Sequence, residues 1–108
     1  MMAVSERLIM VYIPCASHDE ATAIAQQLLE ERIIACANIH PIQSRYWWEN
    51  ELQTTNEVVI VGKTTEALFD RVVSYVEQHH SYDVPCIMKI AVDANERYAA
   101  WLRSCLKQ

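Results

Sequence analysis

The sequence predicts an α+β fold with the element order β-α-β-β-α-β and one further helix at the C-terminus. Three observations support this prediction. Two apolar runs flank a segment with helical periodicity, two β-favouring runs meet at a short polar turn, and a second amphipathic segment precedes a last apolar run. The length of 108 residues suits a single domain over 1–108, and 52% hydrophobic residues provide an ample core.

The first strand is predicted over residues 7–14, a nearly continuous apolar run that ends at Pro14. Ser17 and Glu20 then form a capping-box signature, which marks the start of a helix. Apolar residues follow this box at helical spacing, and they predict an amphipathic helix over 18–31.

A long hairpin is predicted next. Residues 33–40 form the second strand, and Pro41 indicates a bulge or an edge position, because proline cannot donate to a sheet ladder. β-favouring residues resume over 45–49. A turn in which Asn50 tolerates a left-handed conformation then leads into the third strand, over 52–63.

A second helix is predicted over 66–79, with Thr64 or Thr65 as its cap. A loop over 80–85 leads to the fourth strand, 86–92, and the C-terminal helix follows. This order is the split βαβ pattern of a ferredoxin-like fold, whose helices cover one face of an antiparallel sheet.

The predicted fold leaves one apolar sheet face uncovered, and its hairpin is longer than a single protomer of this size needs. Trp47 and Trp48 lie on the hairpin and alternate across the strand, so one is expected in the core and the other at an interface. An uncovered apolar face and an extended hairpin both predict a homo-oligomer.

Composition excludes several functions. The single glycine, Gly62, rules out the glycine-rich loops that bind nucleotide phosphates; within a strand it marks a bulge or a close approach. The net charge is −5 and the basic residues are scattered, so no nucleic-acid partner is expected. No apolar run is long enough to span a membrane, and the N-terminus has no signal-peptide pattern. We therefore expect a cytoplasmic protein with no membrane partner.

The predicted topology brings thiols and imidazoles to one edge of the domain, where the first strand ends and the fourth begins. The residues expected there are Cys15, His18, His79, His80 and Cys86. Thiolate and imidazole ligands suit Cu(I), Cu(II) and Zn(II), so a metal site is one interpretation. The other is that the histidines end the second helix, where they interact favourably with its dipole and with solvent.

Other polar residues have simpler expected roles. Cys36 and Cys105 are expected to be small buried hydrophobes, and all four cysteines to be free thiols. The acidic residues of the hairpin and of the loop before the fourth strand are expected to be surface charges: Glu49, Glu51, Glu57 and Asp83.

Several segments carry a family resemblance. The longest is ACANIHPIQSRYWWENELQTTNEVVIVGKTT (35–65), and it is supported by HDEATAIAQQLLEERIIA (18–35), by HHSYDVP (79–85) and by the stretch from Tyr98 to Leu102. Together these segments cover nearly the whole chain, and they resemble the CutA family, the divalent-cation tolerance proteins.

The resemblance implies a tight homotrimer of ferredoxin-like protomers whose hairpins pair between subunits. It also implies binding of copper or other divalent cations without catalysis, and it identifies neither the metal nor a protein partner. The family's bacterial members resemble copper-binding proteins whose ligands are a Cys at the end of the first strand and a His pair after the second helix. These positions correspond here to Cys15, His79 and His80.

This sequence departs from the family pattern at four places. Ser81 stands where Pro is usual, Cys86 where Glu is usual, Ile42 where Gly often follows Pro41, and Asn50 where the hairpin tip often has Gly. If position 86 contributes a ligand, Cys86 is a fourth ligand and favours Cu(I). If that position is structural or serves another ligand, the inference of metal binding weakens.

Two other functions are alternatives. Trimeric ferredoxin-like proteins of the PII signalling type bind small ligands in clefts between subunits. Such clefts would be lined here by Trp47, Trp48, Glu57, Lys63 and Tyr82. An enzyme would use Cys15 as nucleophile with His79 or His80 as base, but no third orienting group or oxyanion loop accompanies them.

Overall fold

The computed structural model describes residues 3–107 and has the predicted α+β architecture. Its strands are β1 (Leu8–Cys15), β2 (Cys36–Trp48), β3 (Glu51–Thr65) and β4 (Met88–Ala91); its helices are α1 (His18–Glu30), α2 (Phe69–His79) and α3 (Glu96–Cys105). One sheet has the strand order β2-β3-β1-β4, and all neighbouring strands are antiparallel. This is the ferredoxin-like arrangement, so the predicted fold class is confirmed.

The core lies on one face of the sheet. Residues of β1 alternate between buried and half-buried, and its buried positions join apolar residues of α1 and α2 in one cluster. On the other face, Met88 pairs with Tyr12 and Ile90 with Met10. Met88 is 53% exposed and Ile90 is 55% exposed, so apolar side chains of β4 face outward as the sequence predicts for the uncovered face.

The hairpin is longer and more regular than predicted. One constant register runs from the pair Cys36–Lys63 to the pair Trp48–Glu51, and Pro41 lies opposite Val58 within it. The expected bulge at Pro41 is therefore wrong. The edge position is confirmed, because β2 ends the sheet and an edge strand leaves N–H groups without a partner strand.

β2 begins at Cys36 rather than at residue 33, because α1 ends in a tight reversal. Arg32 has a φ of 57°, and the Ile33 N–H donates to the Leu28 carbonyl oxygen. This is the left-handed helix ending that usually carries glycine. The apolar residues Ile33 and Ile34 then enter the core from this reversal and not from a strand.

The tip of the hairpin is a two-residue turn. Asn50 has a φ of 63°, as predicted, and Glu49 is also left-handed with a φ of 49°. Two successive positive φ values are typical of the turn type that matches the twist of paired strands. The turn leaves Trp47 72% exposed and Trp48 50% exposed, so the expectation that one tryptophan enters the core of its own chain is wrong.

The segment that connects β3 to β4 through α2 differs from the prediction at both ends. Residues Glu66–Leu68 form a short 3-10 turn before α2, and Thr65 occupies the cap position without a side-chain cap bond. The Thr64 hydroxyl instead donates to the Ile33 carbonyl oxygen at 2.6 Å, in the interior. β4 is shorter than the predicted 86–92 and leaves Cys86 in the preceding loop.

Gly62 marks a close approach and not a bulge. It lies opposite Val11 in the constant register of β1 and β3, and an ideal Cβ there would be 2.8 Å from Val11 Cγ2. Real Cβ atoms do not approach a neighbour this closely, so the contact requires glycine.

Replacing Gly62 with alanine is expected to destabilise the protein by about 1–3 kcal/mol, because the new methyl group would overlap Val11 in a packed core. Urea titration measures the free energy of unfolding. In the double variant Gly62→Ala/Val11→Ala the overlapping methyl is gone, so the loss should be smaller than the sum of the two single losses. Strictly additive losses would contradict the close approach.

Candidate metal centre

Three potential metal ligands converge where β1 ends. The sulfur of Cys15, a carboxylate oxygen of Glu20 and a ring nitrogen of His80 all lie within 4.8 Å of one another. Cys15 ends β1, Glu20 lies in the first turn of α1, and His80 directly follows α2. Within residues 3–107 this is the one group of three or more such side chains.

Cys15 is fully buried, and its thiol lies 3.6 Å from the Ile13 carbonyl oxygen. Burial raises the pKa of Cys15 to about 12, and the negative charges of Glu20 and Glu57 add to the rise. The residue is therefore a neutral thiol at physiological pH, unlike the activated thiolate of a nucleophilic cysteine.

The His80 ring has both nitrogens engaged. Its Nδ1 accepts a hydrogen bond from the Tyr82 backbone N–H at 3.0 Å, so that atom carries no proton. Its Nε2 lies 2.8 Å from the Pro14 carbonyl oxygen, which can only accept, so Nε2 carries the proton. This hydrogen-bond network assigns a neutral imidazole in one tautomer, held in a fully buried position.

Glu20 joins three segments of the chain. The Ser17 hydroxyl accepts from the Glu20 N–H, as the capping box predicts, while the Glu20 carboxylate accepts from the Ala16 N–H and not from the Ser17 N–H. Its other oxygen accepts from the Ser81 N–H at 2.8 Å. Burial alone would raise the pKa of Glu20, but the hydrogen bonds from the Ala16 and Ser81 backbone outweigh burial and lower the pKa.

Two of the residues predicted as ligands lie outside this group. His79 is exposed, its Nδ1 donates to the Tyr75 carbonyl oxygen at 2.8 Å, and its ring stacks on Tyr75. Cys86 is exposed and lines a neighbouring cleft. The group thus contains Cys15 and His80 from the sequence prediction, together with Glu20, which the sequence indicated only as a helix cap.

The cleft beside this group contains part of the set predicted to bind a small ligand. Trp48, Glu57 and Tyr82 line it, whereas Trp47 and Lys63 are not among its lining residues. The Lys63 amine lies 3.4 Å from the Tyr98 hydroxyl instead. These three lining residues come together within a single chain.

The expectation that Glu57 is a surface charge is wrong. Its side chain is only 6% exposed, and its carboxylate accepts a 2.6 Å hydrogen bond from the Tyr82 hydroxyl. Burial, followed by this hydrogen bond and the Glu57 charge, raises the pKa of Tyr82 above its usual range. Cys36 and Cys105 also differ from expectation, because both are only half-buried.

Comparison with known proteins identifies the family. The sequence profile of the CutA1 divalent ion tolerance protein matches residues 9–105. The chain belongs to the CutA family. It is 38% identical over 96 residues to the divalent-cation tolerance protein CutA of Pyrococcus horikoshii, an alignment that covers 88% of this chain and 94% of that protein.

Solved structures of CutA proteins share the fold closely. The crystal structure of CutA1 from Oryza sativa superposes with a TM-score of 0.92 at 31% identity, covering 98% of this chain and 99% of that one. The CutA structure from Archaeoglobus fulgidus superposes with a TM-score of 0.91 at 34% identity, covering 93% of this chain and 99% of that one.

Cellular location differs among the named CutA relatives. The Archaeoglobus structure is described as periplasmic, and one rice relative, of which this chain spans 58%, as chloroplastic. None of the helices within residues 3–107 has the length and apolar character that crossing a membrane requires. The cytoplasmic location expected from the sequence stays a prediction.

Cys15 is expected to react with iodoacetamide far more slowly than Cys86 at neutral pH. A thiol with a pKa of about 12 holds roughly one thiolate in 10⁵ at pH 7, and Cys15 is also shielded by the core. Timed alkylation followed by peptide mass mapping measures both rates, with denatured protein as the control in which both react. Equal labelling of Cys15 and Cys86 in the folded protein would contradict the burial.

Glu20→Gln is expected to lower the free energy of unfolding at pH 7 by about 1–2 kcal/mol, because an amide replaces a charged acceptor of two backbone N–H groups. The folded pKa of Glu20 lies below its unfolded value of 4.5, so its contribution is present above that pH and disappears as pH falls through the folded pKa.

Urea titrations at neutral pH and near pH 3 test this dependence, and the difference between wild type and Glu20→Gln should narrow in acid. Glu30→Gln is the matched control, because Glu30 accepts only an exposed hydrogen bond from Gln26 in the same helix. If the difference in free energy of unfolding between wild type and Glu20→Gln were the same at both pH values, the role assigned to the Glu20 charge would be refuted.

Proposed function

We propose that this chain is the protomer of a homotrimer that binds copper or a similar cation and performs no catalysis. The observation that carries the proposal is the convergence of Cys15, Glu20 and His80 at the end of β1. Membership of the divalent ion tolerance family supports a cation as the ligand. The family match gives no corresponding support to a PII-type signalling function.

The donor set suits a borderline cation. Cys15 offers sulfur, His80 nitrogen and Glu20 oxygen, a combination accepted by Cu(II) and Zn(II), with the thiol also suiting Cu(I). The three atoms lie within 4.8 Å of one another, so side-chain shifts of about 1 Å would bring them to the spacing of ligands around one ion. Cys86 lies outside this group, so the softer four-ligand site considered from the sequence has less support.

Binding has to be coupled to the loss of protons. The Cys15 thiol is neutral, and a bound cation supplies the positive charge that favours its ionisation. The His80 Nε2 carries the proton directed at the Pro14 carbonyl oxygen, so ligation at this atom requires that proton to leave or to move to Nδ1. The metal-free group is therefore a closed, fully hydrogen-bonded arrangement that opens to accept the ion.

The homotrimer is supported by the surfaces that one chain leaves open. β2 and β4 are the two edges of the sheet, and apolar residues are exposed beside them, including Leu52, Met88 and Ile90. The chain extends 47 Å along its longest axis but only 25 and 22 Å across, because the hairpin projects from the body. Unpaired edges next to apolar side chains are favourable surfaces for pairing with another copy.

The absence of catalysis is proposed from the state of the two groups an enzyme would use. Cys15 has a raised pKa and no exposed surface, which opposes a role as nucleophile. His80 has both nitrogens in hydrogen bonds to backbone groups, so neither is available to accept a proton from Cys15.

Copper binding by reduced protein tests the proposal. Competition with a chromophoric Cu(I) chelator, and direct titration with Cu(II), are expected to give affinities that fall at least about tenfold in Cys15→Ser and in His80→Ala. His79→Ala and Cys86→Ser are the matched controls, because they remove the same chemical groups from outside the convergent set, and they should retain affinity.

Unchanged copper binding by both Cys15→Ser and His80→Ala would overturn the site. Loss of binding in His79→Ala alone would replace the assignment with one centred on His79. Native mass spectrometry of the same samples measures the assembly, and a monomer at micromolar concentration would contradict the homotrimer.

A further inference from the structure

A second potential ligand site lies next to the convergent group, in the cleft between the hairpin and the loop that precedes β4. Its volume is about 610 Å³, which is within the usual range of small-molecule sites. Aromatic side chains of Tyr46, Trp48 and Tyr82 line it, together with the buried carboxylate of Glu57. We call this cavity the aromatic cleft.

The charge of Glu57 is poorly compensated. Its carboxylate accepts a hydrogen bond from the Tyr82 hydroxyl, and among residues 3–107 no Lys, Arg or His forms an ion pair with it. A phenol hydrogen bond is a weak substitute for a counter-ion, because a buried carboxylate loses much of its hydration. The cleft therefore favours an occupant with positive charge.

The other charged residues of the aromatic cleft do not cancel this preference. Arg45 and Asp83 also line it, so one basic and two acidic side chains give a net charge of −1. The Arg45 Nε–H donates to the Thr54 hydroxyl oxygen on the neighbouring strand.

A metal ion is the less suitable cation for this cleft. The one group of three metal-ligating side chains found within residues 3–107 is Cys15, Glu20 and His80, so Glu57, Asp83 and Cys86 do not converge on a common point. A cleft with separated acidic side chains and aromatic walls instead suits an alkylated ammonium group, whose positive charge is spread over its methyl and methylene groups. Such ammonium groups are attracted to aromatic ring faces.

We propose that the aromatic cleft binds a small organic ammonium compound, with Glu57 as counter-ion and Tyr46, Trp48 and Tyr82 as the surrounding rings. This function goes beyond copper binding and uses different side chains. Its failure and the failure of the metal site are therefore distinguishable. Choline is the probe, and its uncharged carbon isostere dimethylbutanol is the matched compound.

Calorimetric titration of the full-length assembled protein, in a buffer with a metal chelator, tests the proposal. Choline is expected to bind at least about tenfold more tightly than dimethylbutanol, because the two have the same shape and only choline carries the positive charge that Glu57 would attract. Glu57→Gln should reduce choline affinity at least about tenfold while it keeps an oxygen acceptor for Tyr82. Glu51→Gln, an equal charge change at an exposed position of the same strand, should not.

Trp48→Leu provides a second test that does not alter the buried carboxylate. It should weaken choline binding and leave the oligomeric state measured by native mass spectrometry unchanged, because leucine keeps an apolar side chain at this half-exposed position. Cys15→Ser should bind choline as the wild type does. The proposal is overturned by equal binding of choline and dimethylbutanol, by unchanged choline affinity in Glu57→Gln, or by no choline binding at millimolar concentration. It is also overturned if Trp48→Leu dissociates the assembly and leaves choline affinity unchanged, because a second copy would then occupy the cleft.

Discussion

The hydrogen bond between the His80 ring and the Pro14 carbonyl oxygen determines the arrangement of this end of the molecule. It joins the residue after α2 to the end of β1, 66 positions apart in the sequence. From this anchor, the Ser81 N–H reaches the Glu20 carboxylate, and the Tyr82 N–H reaches the second nitrogen of the His80 ring. His80 and Ser81 thus attach the loop before β4 to β1 and α1, and Tyr82 holds the His80 ring from within the loop. These bonds position both the group of Cys15, Glu20 and His80 and the aromatic cleft.

The same attachment explains why the group of Cys15, Glu20 and His80 is unreactive when no ligand is bound. Every polar group in it has a partner: the Cys15 thiol contacts a carbonyl oxygen, the His80 ring has two backbone partners, and the Glu20 carboxylate accepts two N–H groups. Burial keeps the thiol protonated, which removes the reactivity that would otherwise expose a cysteine to oxidation. In such a state, only a ligand able to displace the proton gains access to the sulfur.

Much of the fold could be predicted from the sequence because its signals are local. Apolar periodicity located the helices, and Asn50 located the turn. The errors have physical causes that lie beyond local pattern. Arg32 and Glu49 adopt left-handed conformations that their residue types do not indicate. Proline lacks a backbone N–H, so Pro41 interrupts a strand only where the sheet needs a donor at that position, and this depends on whether the strand lies at an edge.

The site was less predictable than the fold, because its key features depend on tertiary contacts. Topology alone placed Cys15 and His80 at one edge, but only the packed loop decides that His80 turns inward while its neighbour His79 stays exposed on Tyr75. Glu57 was interpreted as a surface charge because acidic residues are rarely buried. Two signals could have indicated that Glu57 is buried. Glu57 lies two positions before Val59 and therefore on the same face of β3, and Tyr82 supplies a hydroxyl donor for its carboxylate.

Tyr82 connects the two sites physically. Its backbone N–H fixes the His80 tautomer, its ring lies 4.7 Å from the His80 ring between centroids, and its hydroxyl donates to Glu57 in the aromatic cleft. One residue therefore contacts the imidazole of the convergent group through its backbone and ring, and the buried carboxylate of the aromatic cleft through its hydroxyl.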